Sequence, residues 1–185
     1  MGKNYTKINK RLTAFIQKQK LFFVATAAPD GRVNISPKGI DTFRILNERE
    51  VLWLNLTGSG NEMAAHLIAS SRMTLMFCAF SGNPLILRLY GRAKVFHPRD
   101  AEWKTEILRF PKIAGARQIV AMSIDAIHSS CGMGIPIYQY EKERRELIDW
   151  AEDKGQAGLR KYWEEKNRLS IDGKETGISA KKKRR

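Results

Sequence analysis

Residues 51–67 read VLWLNLTGSGNEMAAHL. An apolar strand-like run enters a knot of small polar residues, TGSGNE, and a helix-like run leaves it. That order suits a phosphate cradle. Phosphate needs hydrogen-bond donors from several directions, glycines let a backbone approach closely, and a helix N-terminus offers free N–H groups. Thr57 and Ser59 supply hydroxyls, Asn61 an amide, and Gly58 and Gly60 the close approach. Neither standard nucleotide signature is present. The Walker loop requires Gly-Lys-Ser/Thr at its end, and the dinucleotide loop requires a glycine where this chain has Met63. Ordinary helix capping by Ser59 or Asn61 accounts for the same residues without a ligand.

Working outward, residues 7–20 place Ile8, Leu12, Phe15 and Ile16 at helical spacing, which predicts an amphipathic N-terminal helix. Two extended runs flank Pro29-Asp30-Gly31, a turn sequence, so they form an antiparallel hairpin. Along its second strand Asn34, Ser36 and Lys38 alternate with Val33, Ile35 and Pro37, giving one polar face. Residues 41–49 read as a loop. After the opening strand and a helix over 61–70 come MTLMFCAF (73–80) and LILRLYGRAKVFH (85–97), both strands. A helix is expected over 100–110, a last strand over 118–128, a Gly/Pro loop over 131–138, and polar helices over 140–153 and 156–169. Six strands with few helices between them exclude a doubly wound sheet. They predict a mainly β, six-stranded antiparallel barrel, closed or partly open, with flanking helices. The expected organisation is an N-terminal helix (1–20), a barrel (21–137), a helical extension packed on it (138–173) and a basic flexible tail (174–185).

The chain has 185 residues, 43% of them hydrophobic, enough for one domain with a sizeable core. Its net charge of +14 is concentrated at the ends: six basic residues and no acid in 1–20, and KKKRR at 181–185. Residues 21–180 carry a net of only +3, so a specific nucleic-acid module is not expected. No stretch is apolar enough to span a membrane, and no cleavable signal is visible, so a cytoplasmic location is expected. Cys78 and Cys131 make no metal or disulfide pattern. His66, His97 and His128 have no triad or metal spacing, and His66 reads as a helix-surface residue. Two cations are pointed. Lys38 ends the polar face of its strand, and Arg88 interrupts an apolar strand, where it needs a partner, a ligand or a solvent-facing position.

NISPKG, WLNLTGSGNE, MTLMFCAF and LRLYGRA, in this order, resemble the pyridoxamine 5'-phosphate oxidase-like family of FMN-binding split β-barrels. The resemblance covers residues 21–95. SSCGMGIP and the helical segment 140–173 are also similar to one branch of that family. It implies FMN at a homodimer interface. Lys38 would approach the flavin, at its pyrimidine edge. Thr57, Gly58, Ser59, Gly60 and Asn61 would hold the phosphate. Asn34, Ile35, Ser36 and Pro37 would line the ring edge, and Arg88 matches an arginine of the family's long strand. The vitamin B6 enzymes carry Ser-Arg-Lys where this loop has Ser-Gly-Asn-Glu, so vitamin B6 synthesis is not expected. The implied activity is FMN-dependent oxidoreduction of an unidentified small molecule. A flavin- or haem-binding protein with little turnover and a deazaflavin-dependent reductase are the alternatives. No catalytic acid or base is named by the sequence.

Overall fold

The computed structural model describes residues 2–179, and the KKKRR run lies outside them. A short strand β1 (Lys3–Tyr5) leads into helix α1 (Lys10–Lys18). Asn9 starts the helix later than the expected 7–20: its side-chain oxygen accepts the Leu12 N–H at 3.0 Å, a side-chain N-cap. A helix of nine residues is marginal alone, and burial of Leu12 and Ile16 holds it.

Strands β2 (Phe22–Thr26) and β3 (Asn34–Lys38) form the expected hairpin, followed by β4 (Phe43–Asn47) and β5 (Glu50–Leu56). Helix α2 (Glu62–Ala69), β6 (Arg72–Cys78), β7 (Ile86–Phe96), helix α3 (Ala101–Glu106) with a 3-10 turn at 107–109, β8 (Ala116–Ser130) and α4 (Glu146–Lys166) complete the fold. All strands pair antiparallel in one sheet of order β3-β2-β6-β7-β8-β5-β4, with β1 added to β8. The class is the expected mainly β split barrel with flanking helices.

The strand count is a correction: eight strands, not six. β4 occupies what reads as the loop 41–49. Its polar residues hide a hairpin in which Asn47 accepts the Arg49 N–H and donates to Glu50, each at 2.8 Å, and Phe43 pairs with Trp53. β1 escapes notice because three residues at a basic end show no periodicity. In the C-terminal extension residues 140–145 are not helical, and the two expected helices meet within α4 at Gly155 (φ 59°).

The sheet's two edges, β3 and β4, are joined by residues 39–42, which reach at most about 17 Å. The edges therefore lie near one another without pairing, and this is the split of the barrel. Aromatic rings fill the seam: Phe22 lies 5.0 Å from Phe43 and 5.6 Å from Phe77, centroid to centroid. Inside are Val24, Trp53, Leu75, Leu87, Leu89, Val120 and Met122, closed by Leu12 and Ile16 of α1. A second cluster, Leu52, Leu54, Phe96, Phe110 and Ile119, packs under Trp103 of α3. No helix among the described residues is long and apolar enough to cross a membrane.

Residues 174–179, expected to belong to a flexible tail, are fastened. Lys174 binds the Asp30 carboxylate at 2.6 Å, Thr176 is buried, and Arg99 donates to the Ile178 carbonyl at 2.7 Å. Composition marked the segment as polar but could not show these partners, which lie far away in sequence.

Candidate functional site

A cavity of about 500 Å³ opens where β3, the end of β5, the start of α2 and the start of β8 meet. The pleat of β3 sends alternate side chains to it, so Asn34, Ser36 and Lys38 line the cavity. Ile35 and Pro37 face the other way and are exposed. From the opening loop, Gly58, Ser59, Gly60 and Asn61 line it. Thr57 does not. It is buried, its hydroxyl donating to the Gly115 carbonyl at 2.8 Å and accepting from Trp163 Nε1 at 2.9 Å. Arg88 is also elsewhere, on the outer face of β7, donating to Ser130 Oγ at 3.1 Å.

Capping does not explain the loop. Asn61 precedes α2, yet its side chain makes no capping bond. It is 3% exposed, and both its amide oxygen and nitrogen are buried without a partner. Each such group costs about 1–3 kcal/mol unless something in the cavity meets it. The glycines point the same way. A Cβ on Gly58 would have open space, and neither Gly58 nor Gly60 has a left-handed backbone. Neither backbone conformation nor neighbouring protein atoms demand glycine at 58, whereas a ligand pressed against the backbone would.

Sequence reasoning missed the strongest charge. Arg117 opens β8, lines the cavity and is 2% exposed. Nη1 donates to the Gly60 carbonyl at 3.0 Å and to Asn167 Oδ1 at 2.7 Å, while Nε has no partner. Both partners are neutral, and no carboxylate among the described residues pairs with Arg117 or Lys38. Burial lowers Arg117 to about 10. Burial, and then the charge of Arg117, lowers Lys38 to about 8. Lys38 and Arg117 thus line one cavity with no carboxylate paired to either, an arrangement that favours a bound anion. Arg117 fell just outside the expected 118–128 strand and stands beside Gln118, so no apolar run singled it out.

His66 is a further correction. It is 1% exposed, lines the cavity and places Nδ1 3.0 Å from Thr26 Oγ1. The flanking Met63, Ala64 and Ala65 are buried too, so α2 has little surface for a histidine to occupy. Glu62 lines the cavity, but its carboxylate accepts the Ile171 N–H at 2.9 Å. Asn55, also lining the cavity and 1% exposed, leaves its amide oxygen unpaired.

Residues 8–131 match the family model described as pyridoxamine 5'-phosphate oxidase. The pyridoxamine 5'-phosphate oxidase family protein ustO of Aspergillus flavus is 34% identical over 138 residues, 72% of this chain and 55% of its own. This chain thus spans about half the length of that curated relative. Among solved structures, HupZ from Group A Streptococcus superposes with a TM-score of 0.53 at 17% identity, covering 65% of this chain and 91% of that one. A candidate pyridoxamine 5'-phosphate oxidase of Lactobacillus delbrueckii also gives 0.53, at 18% identity, over 66% and 94%. Those two likenesses concern the fold.

Proposed function

Because this chain belongs to the pyridoxamine 5'-phosphate oxidase family, we propose that its cavity binds the phosphate end of FMN and that the protein is a flavin-dependent oxidoreductase acting on a small organic molecule. The observation that carries the reading is the cluster of unpaired buried polar groups, Asn61 and Arg117 Nε, beside the unpaired Lys38. A phosphate dianion would accept from all three. It would occupy the space left free over Gly58. The residues therefore fit the group.

Arg117 stands in for the charge that the vitamin B6 enzymes place in the loop itself, entering from β8 instead. A bound flavin would supply the two-electron redox chemistry. The protein's share is position and field. Asn34, Ser36 and Lys38 extend along one side of the cavity from the anion site, and Lys38 sets positive charge there. The loop's different phosphate clamp keeps vitamin B6 synthesis outside this reading.

A homodimer belongs to the same reading. Ile35 and Val33, 64% and 70% exposed, lie with Pro37 on the sheet face whose pairing also carries Tyr90, itself exposed. Arg88 stands on that face and would meet a cofactor only across such an interface.

The test is titration of the purified protein with FMN, followed by gel filtration and a visible spectrum. Flavin bands that travel with the protein are expected. A haem-type band, or no uptake of FMN, would overturn the reading.

A further inference from the structure

The loop that would hold phosphate is itself held from behind. Asn167, at the end of α4 and fully buried, donates Nδ2 to the carbonyls of Gly58 at 3.0 Å and Ser59 at 3.4 Å. Its Oδ1 accepts from Arg117, which donates to the next carbonyl, that of Gly60. Three successive carbonyls are thus drawn toward one pair of side chains. No peptide bond here is cis, and in a trans peptide the N–H points opposite to the C=O. The N–H groups of Ser59, Gly60 and Asn61 are therefore turned away from that pair, and no acceptor among the described residues takes them.

From this geometry we infer that Asn167 is a positioning residue for an anion nest: by fixing the carbonyls of residues 58–60 it presents the amides of residues 59–61 to a terminal phosphate. Successive backbone N–H groups facing one concavity form such nests. The inference rests on the phosphate reading above, and it extends the site to the C-terminal extension, which does not line the cavity at this residue. Asn61, more than nine-tenths buried with its side chain unpaired, is the independent mark of a ligand at the same place. Trp163, bonded to Thr57, and Ile171, bonded to Glu62, fasten the two flanks of the loop to the same extension. The extension thus grips the loop at both ends and at its middle.

The test uses Asn167→Leu, which removes both donors to the loop and adds no charge beside Arg117. Affinities for FMN and for riboflavin, which lacks the phosphate, are measured on the full chain and the variant. The expected result is a loss of tenfold or more for FMN with riboflavin changed less than twofold. An unchanged FMN-to-riboflavin ratio overturns the inference. A second measurement covers a variant that fails to fold, or a wild-type protein that binds no flavin. Inorganic phosphate is titrated into the wild-type protein and the backbone amides are followed by NMR. Shifts led by Ser59, Gly60 and Asn61 support the nest even where the flavin reading has failed, and their absence overturns it.

Discussion

At the scale of single residues, Lys38 carries the sharpest consequence. Its ammonium sits beside Arg117 in a partly buried wall, which lowers it to about 8 from the ordinary lysine value of 10.5. Between those values the unfolded chain binds more protons than the folded one. The stability of the free protein therefore rises with pH across that window, and below it the cation's cost is constant. Binding an anion has the opposite slope. It needs the ammonium, so FMN affinity should hold up to about pH 8 and then fall by as much as tenfold per pH unit. Lys38→Met should flatten that profile. At pH 7 it should weaken FMN by about one to two orders of magnitude, the worth of a charge-assisted hydrogen bond, while raising the melting temperature of the ligand-free protein. Isothermal titration across pH and differential scanning calorimetry check both signs. His97 acts at the acid end. Burial lowers it to about 4 from 6.5, and its Nδ1 is buried without a partner. Stability should fall as pH drops from about 6.5 toward 4, where the unfolded chain takes up the proton first. Urea midpoints of His97→Gln across that range should vary less than those of the wild type.

Among the elements, legibility followed pattern. The β2–β3 hairpin declared itself through Pro-Asp-Gly and strict alternation, and that alternation correctly put Asn34, Ser36 and Lys38 on one face. The same rule sends Ile35 and Pro37 to the opposite face, so β3 lends the cavity only alternate side chains. β4 was illegible because it is only five residues long and Leu46 breaks the alternation that Phe43, Arg44 and Ile45 begin. Arg88 takes a regular place in the pairing of β7 with β8, whereas Arg117 sits where the register of β8 on β5 shifts and is turned into the cavity wall, a difference that only the pairing reveals. Asn167 carried no signal, since the partners its side chain bonds lie 50 to 109 positions upstream. Gly91 shows how tightly these long strands are fitted. The register of β7 on β8 shifts between Tyr90 and Gly91, and a Cβ at Gly91 would stand 2.0 Å from the Ser123 carbonyl oxygen. Gly91→Ala must push the backbones apart and should cost about 3 kcal/mol. Gly82→Ala, in an open turn with φ 70°, should cost only about 1 kcal/mol from its backbone. Urea denaturation of both variants makes the comparison.

For the whole molecule, the exposed face carrying Val33, Ile35 and Tyr90 sets an expectation about assembly. Light scattering should give twice the chain mass, and Ile35→Glu should return the protein to its monomer mass without lowering the melting temperature of the barrel. A wild-type monomer would leave Arg88 with its Ser130 contact and no cofactor role.

The fastening of residues 167–179 has a consequence in time as well as space. Asp172 pairs with Arg32, and Lys174 with Asp30, across 140 and 144 residues of sequence. Contacts so distant along the chain close only after the barrel has brought their anchors together, because loop closure precedes their reward. The proposed anion site would then be the latest part of the fold to mature and among the first to let go. Hydrogen exchange should find the amides of residues 168–178 opening at far lower free energy than those of β7 and β8, and mild denaturant should release a bound cofactor while the barrel still stands.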